Sequence, residues 1–364
     1  MRVGSSWGAA AVLLAALLWG TTGTAASFAP GVPGLVIGAA AMGIGGLLQA
    51  AVAARQIAHH RAALRGQWAT VLVSATAVGI FPLAFYSSMR LTGVAIGTVV
   101  TVGSAPPAAA FIERVMDGSR LSRSWAAATA LGVLGVIVLA LARPNEASTR
   151  AALSGAPGSA GWAHLAGIGL GLLGGISYAL YSWGAARVIK RGIPGRATMG
   201  AIFGIGGLLL APLFLLTGSE ILSTRGNLAV VAYLALIPMF LGYVLFGRGL
   251  GAVTASTATT LSLAEPAAAA VMAMLVLHEH LTRIAALGLL LLFVSLLTTT
   301  IPPRRPPRGL GRLRPAVVEG SAAHVKPIRE RRFPSPAWRG GRRGPRPRGS
   351  RAHTAPGRRV PRGR

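Results

Sequence analysis

One acidic side chain in the middle of an apolar stretch has the clearest capacity for chemistry. Glu265 has eleven residues before it and twelve after it in the stretch 254–277. An acid at the centre of a membrane-spanning helix costs about 2.5–3.5 kcal/mol on insertion scales, so a compensating interaction is expected. Such a carboxyl either fixes helix packing, or binds a cationic group and takes up and releases a proton. It is the only acid predicted deep inside a membrane span.

Aromatic and hydroxyl side chains at similar depth in other apolar stretches are predicted to surround this carboxyl. The rings would form apolar walls, and the hydroxyls would supply hydrogen bonds or bond instead to their own helices. The predicted binding residues are Glu265, Trp19, Thr22, Tyr86, Thr101, Tyr178, Tyr181, Tyr243 and Thr260.

Four prolines lie well inside apolar stretches, at Pro82, Pro106, Pro238 and Pro266. Proline removes a backbone hydrogen bond from a helix and kinks it. Because these kinks recur at matched places in the two halves of the chain, they are predicted to be hinges or to expose carbonyl groups beside a cavity. Incidental packing is the alternative interpretation.

Other kinds of site fit the sequence poorly. The chain has no cysteine, which excludes disulfides, thiolate metal sites and cysteine nucleophiles. His278 and His280 are two residues apart and point away from each other on a helix, so no metal site is predicted. The spacing of Gly169, Gly171 and Gly174 lies within an apolar helix rather than between a strand and a helix, so no cofactor is predicted. The sequence shows no Ser–His–Asp arrangement of the kind that hydrolases use, so no enzyme is predicted.

The composition indicates that lipid is the main solvent of the chain. Of its 364 residues 52% are hydrophobic and 12% charged, against roughly a quarter charged in a soluble domain. Stretches of about twenty apolar residues cross roughly 30 Å of hydrocarbon. We predict an all-α integral membrane protein with ten transmembrane helices, at 7–27, 33–53, 68–88, 93–112, 125–142, 162–186, 198–217, 228–247, 254–277 and 283–301.

The distribution of Lys and Arg predicts the orientation. With the N-terminus in the cytoplasm, the short cytoplasmic segments before residue 301 carry 12 of these cations and the other side carries 5. An even number of spans then places both termini in the cytoplasm. The predicted location is the plasma or inner cell membrane, with the lipid bilayer as the surroundings.

The two halves of the chain carry residues in a similar order. Pro82, Tyr86, Arg90, Thr98, Thr101 and Pro106 precede Leu121, and Pro238, Tyr243, Arg248, Thr257, Thr260 and Pro266 precede Leu281. Five spans per half is an odd number, so the second half enters the membrane from the opposite face, as in the inverted repeats of secondary transporters. The predicted domains are a first five-helix repeat, 1–142, a connecting loop, 143–161, a second five-helix repeat, 162–301, and a tail, 302–364.

Three short segments carry a resemblance to a known family. They are Trp19-Gly20, the segment 174–181, and Leu263-Ala264-Glu265-Pro266 followed by His278-Glu279-His280-Leu281. Over residues 7–300 the chain resembles the EamA family of the drug/metabolite transporter superfamily. The resemblance implies export of small molecules such as amino acids, related metabolites or drugs. The first half departs from the pattern, because Ala105 stands where the second half has Glu265 and the glutamate before Leu121 is missing.

The tail, 302–364, contains 12 Pro, 9 Gly and 19 Lys and Arg, a composition typical of disordered chains. We predict that it lies along anionic lipids and binds no specific nucleic acid. A membrane receptor or scaffold whose tail binds anionic lipid or nucleic acid is the alternative to a transporter. The matched kinks favour the transporter. The sequence gives no indication of the oligomeric state.

Overall fold

The computed structural model describes residues 3–119, 122–141, 159–277 and 282–300. Most of the predicted loop, the segment 278–281 with its two histidines, and the tail lie outside the described residues. The described chain forms helices: α1 Val3–Gly20, α2 Thr22–Ala26, α3 Gly34–His59, α4 Arg61–Arg65, α5 Trp68–Thr92, α6 Val94–Asp117, α7 Arg123–Leu141, α8 Ser159–Lys190, α9 Gly195–Thr217, α10 Ser219–Leu222, α11 Arg225–Leu234, a π-helix Ala235–Gly242, α12 Tyr243–Leu250, α13 Ala255–Leu261, α14 Ala264–Leu277 and α15 Arg283–Thr300.

Eight helical segments of the described chain are long and apolar enough to cross a bilayer. They correspond to α1 with α2, then α3, α5, α6, α8 and α9, the segment from α11 through α12, and α13 with α14. The helices α7 and α15 are also apolar but shorter. At a rise of 1.5 Å per residue, helices of 19 and 18 residues reach about 28 Å. The chain is therefore a multi-pass membrane protein, and the predicted count of ten spans depends on these two shorter helices.

Small residues allow α3 and α9 to approach closely. A Cβ atom at Gly46 would lie 2.2 Å from the carbonyl oxygen of Phe203, and one at Gly207 would lie 2.6 Å from the carbonyl oxygen of Gly43. In lipid, such small-residue contacts join helices because no hydrophobic force does so. A contact nearer the start of α3 lies nearer the end of α9, so the two helices run antiparallel.

The helices α7 and α15 are also antiparallel. A Cβ atom at Gly135 would lie 2.9 Å from the backbone nitrogen of Leu292, and one at Gly288 would lie 2.7 Å from that of Leu139. These are the fifth long helices of the two halves, just as α3 and α9 are the second. Similarly, α8 packs on α5 and α6, while α1 packs on α12 and α14. Equivalent helices that pair antiparallel give the arrangement expected of an inverted repeat.

Two of the four predicted kink prolines lie at irregular backbone. Pro238 lies in the π-helix, and Pro266 follows the break between α13 and α14. Pro82 and Pro106 lie within the continuous helices α5 and α6. Of the four prolines, only the two in the second half lie at irregular backbone, and the hinge role of all four stays a prediction.

Candidate binding site

A cavity of about 940 Å³ lies between the two halves. Its lining includes Pro33 before α3, Arg90 near the end of α5 and Glu220 in α10. Both charged side chains are exposed. The segments 27–33 and 218–224 lie at this end of the helical unit, termed here the open end. In the predicted topology it faces away from the cytoplasm.

A smaller cavity of about 50 Å³ adjoins the larger one. The two share Trp19, Thr22, Phe85, Tyr86 and Glu265 in their linings. The smaller cavity is further lined by Pro82, Tyr178, Tyr181 and Tyr243. Its aromatic walls come from α1, α5, α8 and α12, so both halves of the chain form it.

Glu265 lies where the two cavities meet. It is in the first turn of α14, directly after the break in the helix. The larger cavity has three charged lining residues, Arg90, Glu220 and Glu265, and the smaller cavity has Glu265 alone. Within the described part of the chain, no group donates a hydrogen bond to this carboxylate. Its oxygens can therefore accept hydrogen bonds from a ligand in the cavity.

The aromatic side chains form one connected cluster. The ring of Trp19 lies 4.8 Å from that of Tyr243 and 6.3 Å from that of Tyr178. Tyr178 and Tyr181 stack with their ring centroids 5.3 Å apart. The hydroxyls of Tyr181 and Tyr243 are 3.0 Å apart, and the Tyr178 hydroxyl donates to Ser262 Oγ over 2.5 Å. These bonds fix the positions of the tyrosine rings that line the smaller cavity.

Side chains from the first half hold the π-helix in place. Trp19 Nε1 donates to the carbonyl oxygen of Pro238 over 2.9 Å, and Gln49 Nε2 donates to that of Met239 over 3.3 Å. The missing N–H of a proline affects a carbonyl of the preceding turn rather than its own. The two side-chain donors are therefore additional hydrogen bonds, which tie α1 and α3 to the π-helix in the wall of the cavity.

Seven of the nine predicted binding residues line a cavity, and two lie elsewhere. Thr101 is buried in α6 against Gly174 of α8. Thr260 donates to the carbonyl oxygen of Ser256 over 2.8 Å, and its hydroxyl lies 3.0 Å from that of Thr129. Neither threonine is among the cavity-lining residues. The binding role of all nine stays a prediction.

Contacts between the two halves close the opposite end, where the segments 60–67, 191–194 and 251–254 lie. Glu113 of α6 accepts a hydrogen bond from the backbone N–H of Ala255 over 2.7 Å and one from the Ser256 hydroxyl over 2.5 Å. Asp117 accepts from Trp183 Nε1 over 2.7 Å and pairs with Arg187. We term this end, with these contacts, the closed end.

The sequence prediction missed Glu113. The predicted span 93–112 ends one residue before it, whereas α6 continues to Asp117. The side chain of Glu113 is only 4% exposed, so Glu265 is not the only acid in buried surroundings. The apolar residues Val115 and Met116, which follow Glu113, were the available indication that the helix continues.

Two antiparallel repeats of membrane helices around a cavity define the architecture of a small-molecule transporter. Residues 6–141 and 165–301 each match the EamA-like transporter family. The chain belongs to this family, which confirms the resemblance found in the sequence.

One curated relative supports the same assignment. The chain is 34% identical over 296 residues to a protein of Bacillus subtilis (strain 168) named "Uncharacterized transporter YwfM". The match covers 81% of this chain and 94% of that relative. A crystal structure that is 18% identical has the same fold, with a TM-score of 0.65 over 80% of this chain and 96% of that one.

Proposed function

We propose that the protein is a secondary active or facilitative transporter that exports small metabolites, such as amino acids or related compounds, or drugs, by alternating access. The observation that carries this proposal is the position of Glu265. Its carboxylate lies at the junction of two cavities, in a helical unit that is open at one end and closed at the other. A substrate bound there would be accessible from one side of the membrane at a time.

The chemistry of the lining favours a substrate with a cationic amino group. A carboxylate attracts such a group, and the faces of aromatic rings attract cations as well. Arg90 lines the larger cavity and offers a partner for a substrate carboxylate, as an amino acid would require. The alternative role of Glu265 in the cycle is to take up and release a proton while another molecule is carried.

The variants Glu265→Gln and Glu265→Asp test this proposal. The first keeps the shape and removes the charge, and the second keeps the charge and shortens the reach. Efflux would be measured from cells that express each full-length variant, across a panel of amines, amino acids and cationic dyes. We expect Glu265→Gln to lower efflux at least about tenfold, because a hydrogen bond to a charged group is worth about 1.5–3 kcal/mol. Glu265→Asp should keep part of the activity.

The amount of each variant in the membrane is the control for these measurements. An unchanged and pH-independent rate for Glu265→Gln at a normal membrane level would show that the carboxylate takes no part in transport. The receptor or scaffold alternative draws its support from the basic tail. It predicts that removal of the tail, rather than of this charge, abolishes function.

A further inference from the structure

The polar contacts at the closed end differ in how well they are shielded from water. The ion pair of Asp117 with Arg187 has side chains that are 36% and 26% exposed. Exposed ion pairs contribute little because water and salt screen them. Glu113 is almost fully buried and accepts two hydrogen bonds from the other half of the chain. Hydrogen bonds to a buried charge cost more to break, so Glu113 provides the strongest closing contact.

The contact of Glu113 is made with the membrane segment that also carries Glu265. Its partner Ser256 precedes Glu265 by nine residues in the same membrane segment, which corresponds to roughly 13 Å along a helix. The backbone breaks between them, at Ser262 and Leu263. Because of that break, α13 can move away from α6 without carrying α14 and its carboxylate by the same distance.

The second half has no acid at the equivalent position of the repeat. Pro106 and Leu121 on either side of Glu113 have equivalents at Pro266 and Leu281, both 160 residues later. The same offset assigns Ala273 to the position of Glu113. An alanine side chain has no hydrogen-bond acceptor, so this position cannot make the contact that Glu113 makes.

We infer that Glu113 is a positioning residue of the transport cycle, which holds the closed end shut and thereby sets the resting state as open on the cavity side. Its hydrogen bonds to Ala255 and Ser256 must break before the closed end opens, whereas the equivalent position of the second half carries an alanine. This role rests on the alternating access proposed above. It is independent of the substrate and of the charge on Glu265.

Cysteine labelling of the full-length protein tests the role directly, because the natural chain has no cysteine. Ala109 is fully buried beside Trp183 and Ala255, one helical turn from Glu113, so Ala109→Cys reports opening of the closed end. Ala39 is equally buried at another place in the core, and Ala39→Cys reports general loosening. The rate of reaction with N-ethylmaleimide would be measured in membranes without substrate. We expect Glu113→Gln to raise the rate at Ala109→Cys about tenfold, as loss of a hydrogen bond to a charge predicts, and to leave Ala39→Cys unchanged.

Two further variants make the result decisive. Arg114→Gln changes the exposed neighbour on the same helix and should leave both rates unaltered. Ser256→Ala removes one of the two hydrogen bonds and should give a smaller rise at Ala109→Cys alone, even if the variants of Glu113 do not accumulate. Equal rises at both reporters would mean that Glu113 only stabilises the fold, and unchanged rates at Ala109→Cys would show that it does not hold the end shut. Either result would overturn the inference while leaving the Glu265 proposal standing.

Discussion

Trp19 joins the wall of the cavity to the irregular backbone behind it. Its ring packs against Tyr243 at 4.8 Å, and its Nε1 donates to the carbonyl oxygen of Pro238 over 2.9 Å. The residue is 5% exposed, and its hydrogen bond to Pro238 is buried. A single side chain therefore forms part of the cavity wall and also bonds to the backbone of the π-helix.

We predict that Trp19→Phe destabilises the protein by about 1–3 kcal/mol, because the buried carbonyl of Pro238 loses its donor while the aromatic packing is largely kept. The thermal unfolding of detergent-solubilised protein measures the effect as a lower Tm. Trp162→Phe is the matched control, since Trp162 is 78% exposed. Equal Tm values for Trp19→Phe and the control would show that the hydrogen bond contributes little.

Residue-level prediction from the sequence rested on depth in the membrane, and the binding role that it assigned stays a prediction. The insertion cost of an acid identified Glu265, and depth identified the rings of Trp19 and Tyr243, which line the same cavity. Depth does not give the rotation of a helix about its axis. Thr101 consequently lies at the right depth but packs against α8 rather than in the cavity. Glu113 was missed for a different reason, because an acid near the end of an apolar stretch was taken to mark that end.

At the scale of elements, close crossings of helices determine how the two halves fit together. The crossing of α3 and α9 brings backbone to within van der Waals distance of backbone, at Gly46 and at Gly207. Carbonyl oxygens of the facing helix occupy the space that a Cβ atom would need. Such a contact cannot relax by a side-chain rotation, because the atom in the way is part of a helix backbone.

We predict that Gly46→Ala destabilises the protein by about 1–3 kcal/mol, the usual cost of an added group in a well-packed core. The measurement is the fraction of protein that stays folded in detergent after heating. Gly169→Ala is the control, because a Cβ atom there has no other atom within 4 Å, and it should be neutral or slightly stabilising. Comparable losses for the two variants would contradict the close crossing.

The order of the helices was predictable from apolar length, and their irregularities only in part. Proline marked the positions of the π-helix and of the break before α14. It did not indicate which of the four prolines would disturb the backbone, since that depends on contacts elsewhere in the chain. The π-helix at Pro238, for example, is bonded to Trp19 of the other half. Helix ends were also longer than predicted, as at α8, Ser159–Lys190, because charged ends continue a helix beyond the apolar stretch.

At the scale of the whole molecule, the two ends of the helical unit differ in openness and in charge. The open end has the mouth of the cavity with Arg90 and Glu220. The closed end carries the arginines of the segments 55–65 and 187–196, such as Arg61 and Arg191. The positive-inside rule predicts that the closed end is the cytoplasmic end. An exporter at rest would then have an empty cavity facing outwards.

The topology can be measured with reporter fusions. We expect reporters to read cytoplasmic at Arg61 and Lys190, and to read external at Asn145 and Gly226. These positions alternate between the two faces of the membrane if the chain crosses it ten times in the predicted order. An external reading at Lys190 would contradict the inverted repeat, and a cytoplasmic reading at Asn145 would mean that α7 does not cross the membrane.

The tail lies beyond the part of the chain that matches the family. Residues 1–305 and 306–364 form two units, and the match to the EamA-like family ends at residue 301. Each Lys or Arg near an anionic leaflet contributes about 1 kcal/mol of attraction, so we predict that the tail's cations bind anionic lipid. A segment beyond the family match is expected to be dispensable for transport.

We therefore predict that deletion of residues 306–364 leaves membrane insertion and efflux intact. Insertion would be measured as the amount of protein in the membrane fraction, and efflux with the substrate panel used for the Glu265 variants. The full-length protein is the reference, and full-length Glu265→Gln serves as the inactive comparison. Because the helical unit with its cavity and its closing contacts lies before residue 306, loss of efflux at a normal membrane level would require the tail to act on that unit. That result would favour a receptor or scaffold in which the basic segment is the working part, and retention of efflux would favour the transporter.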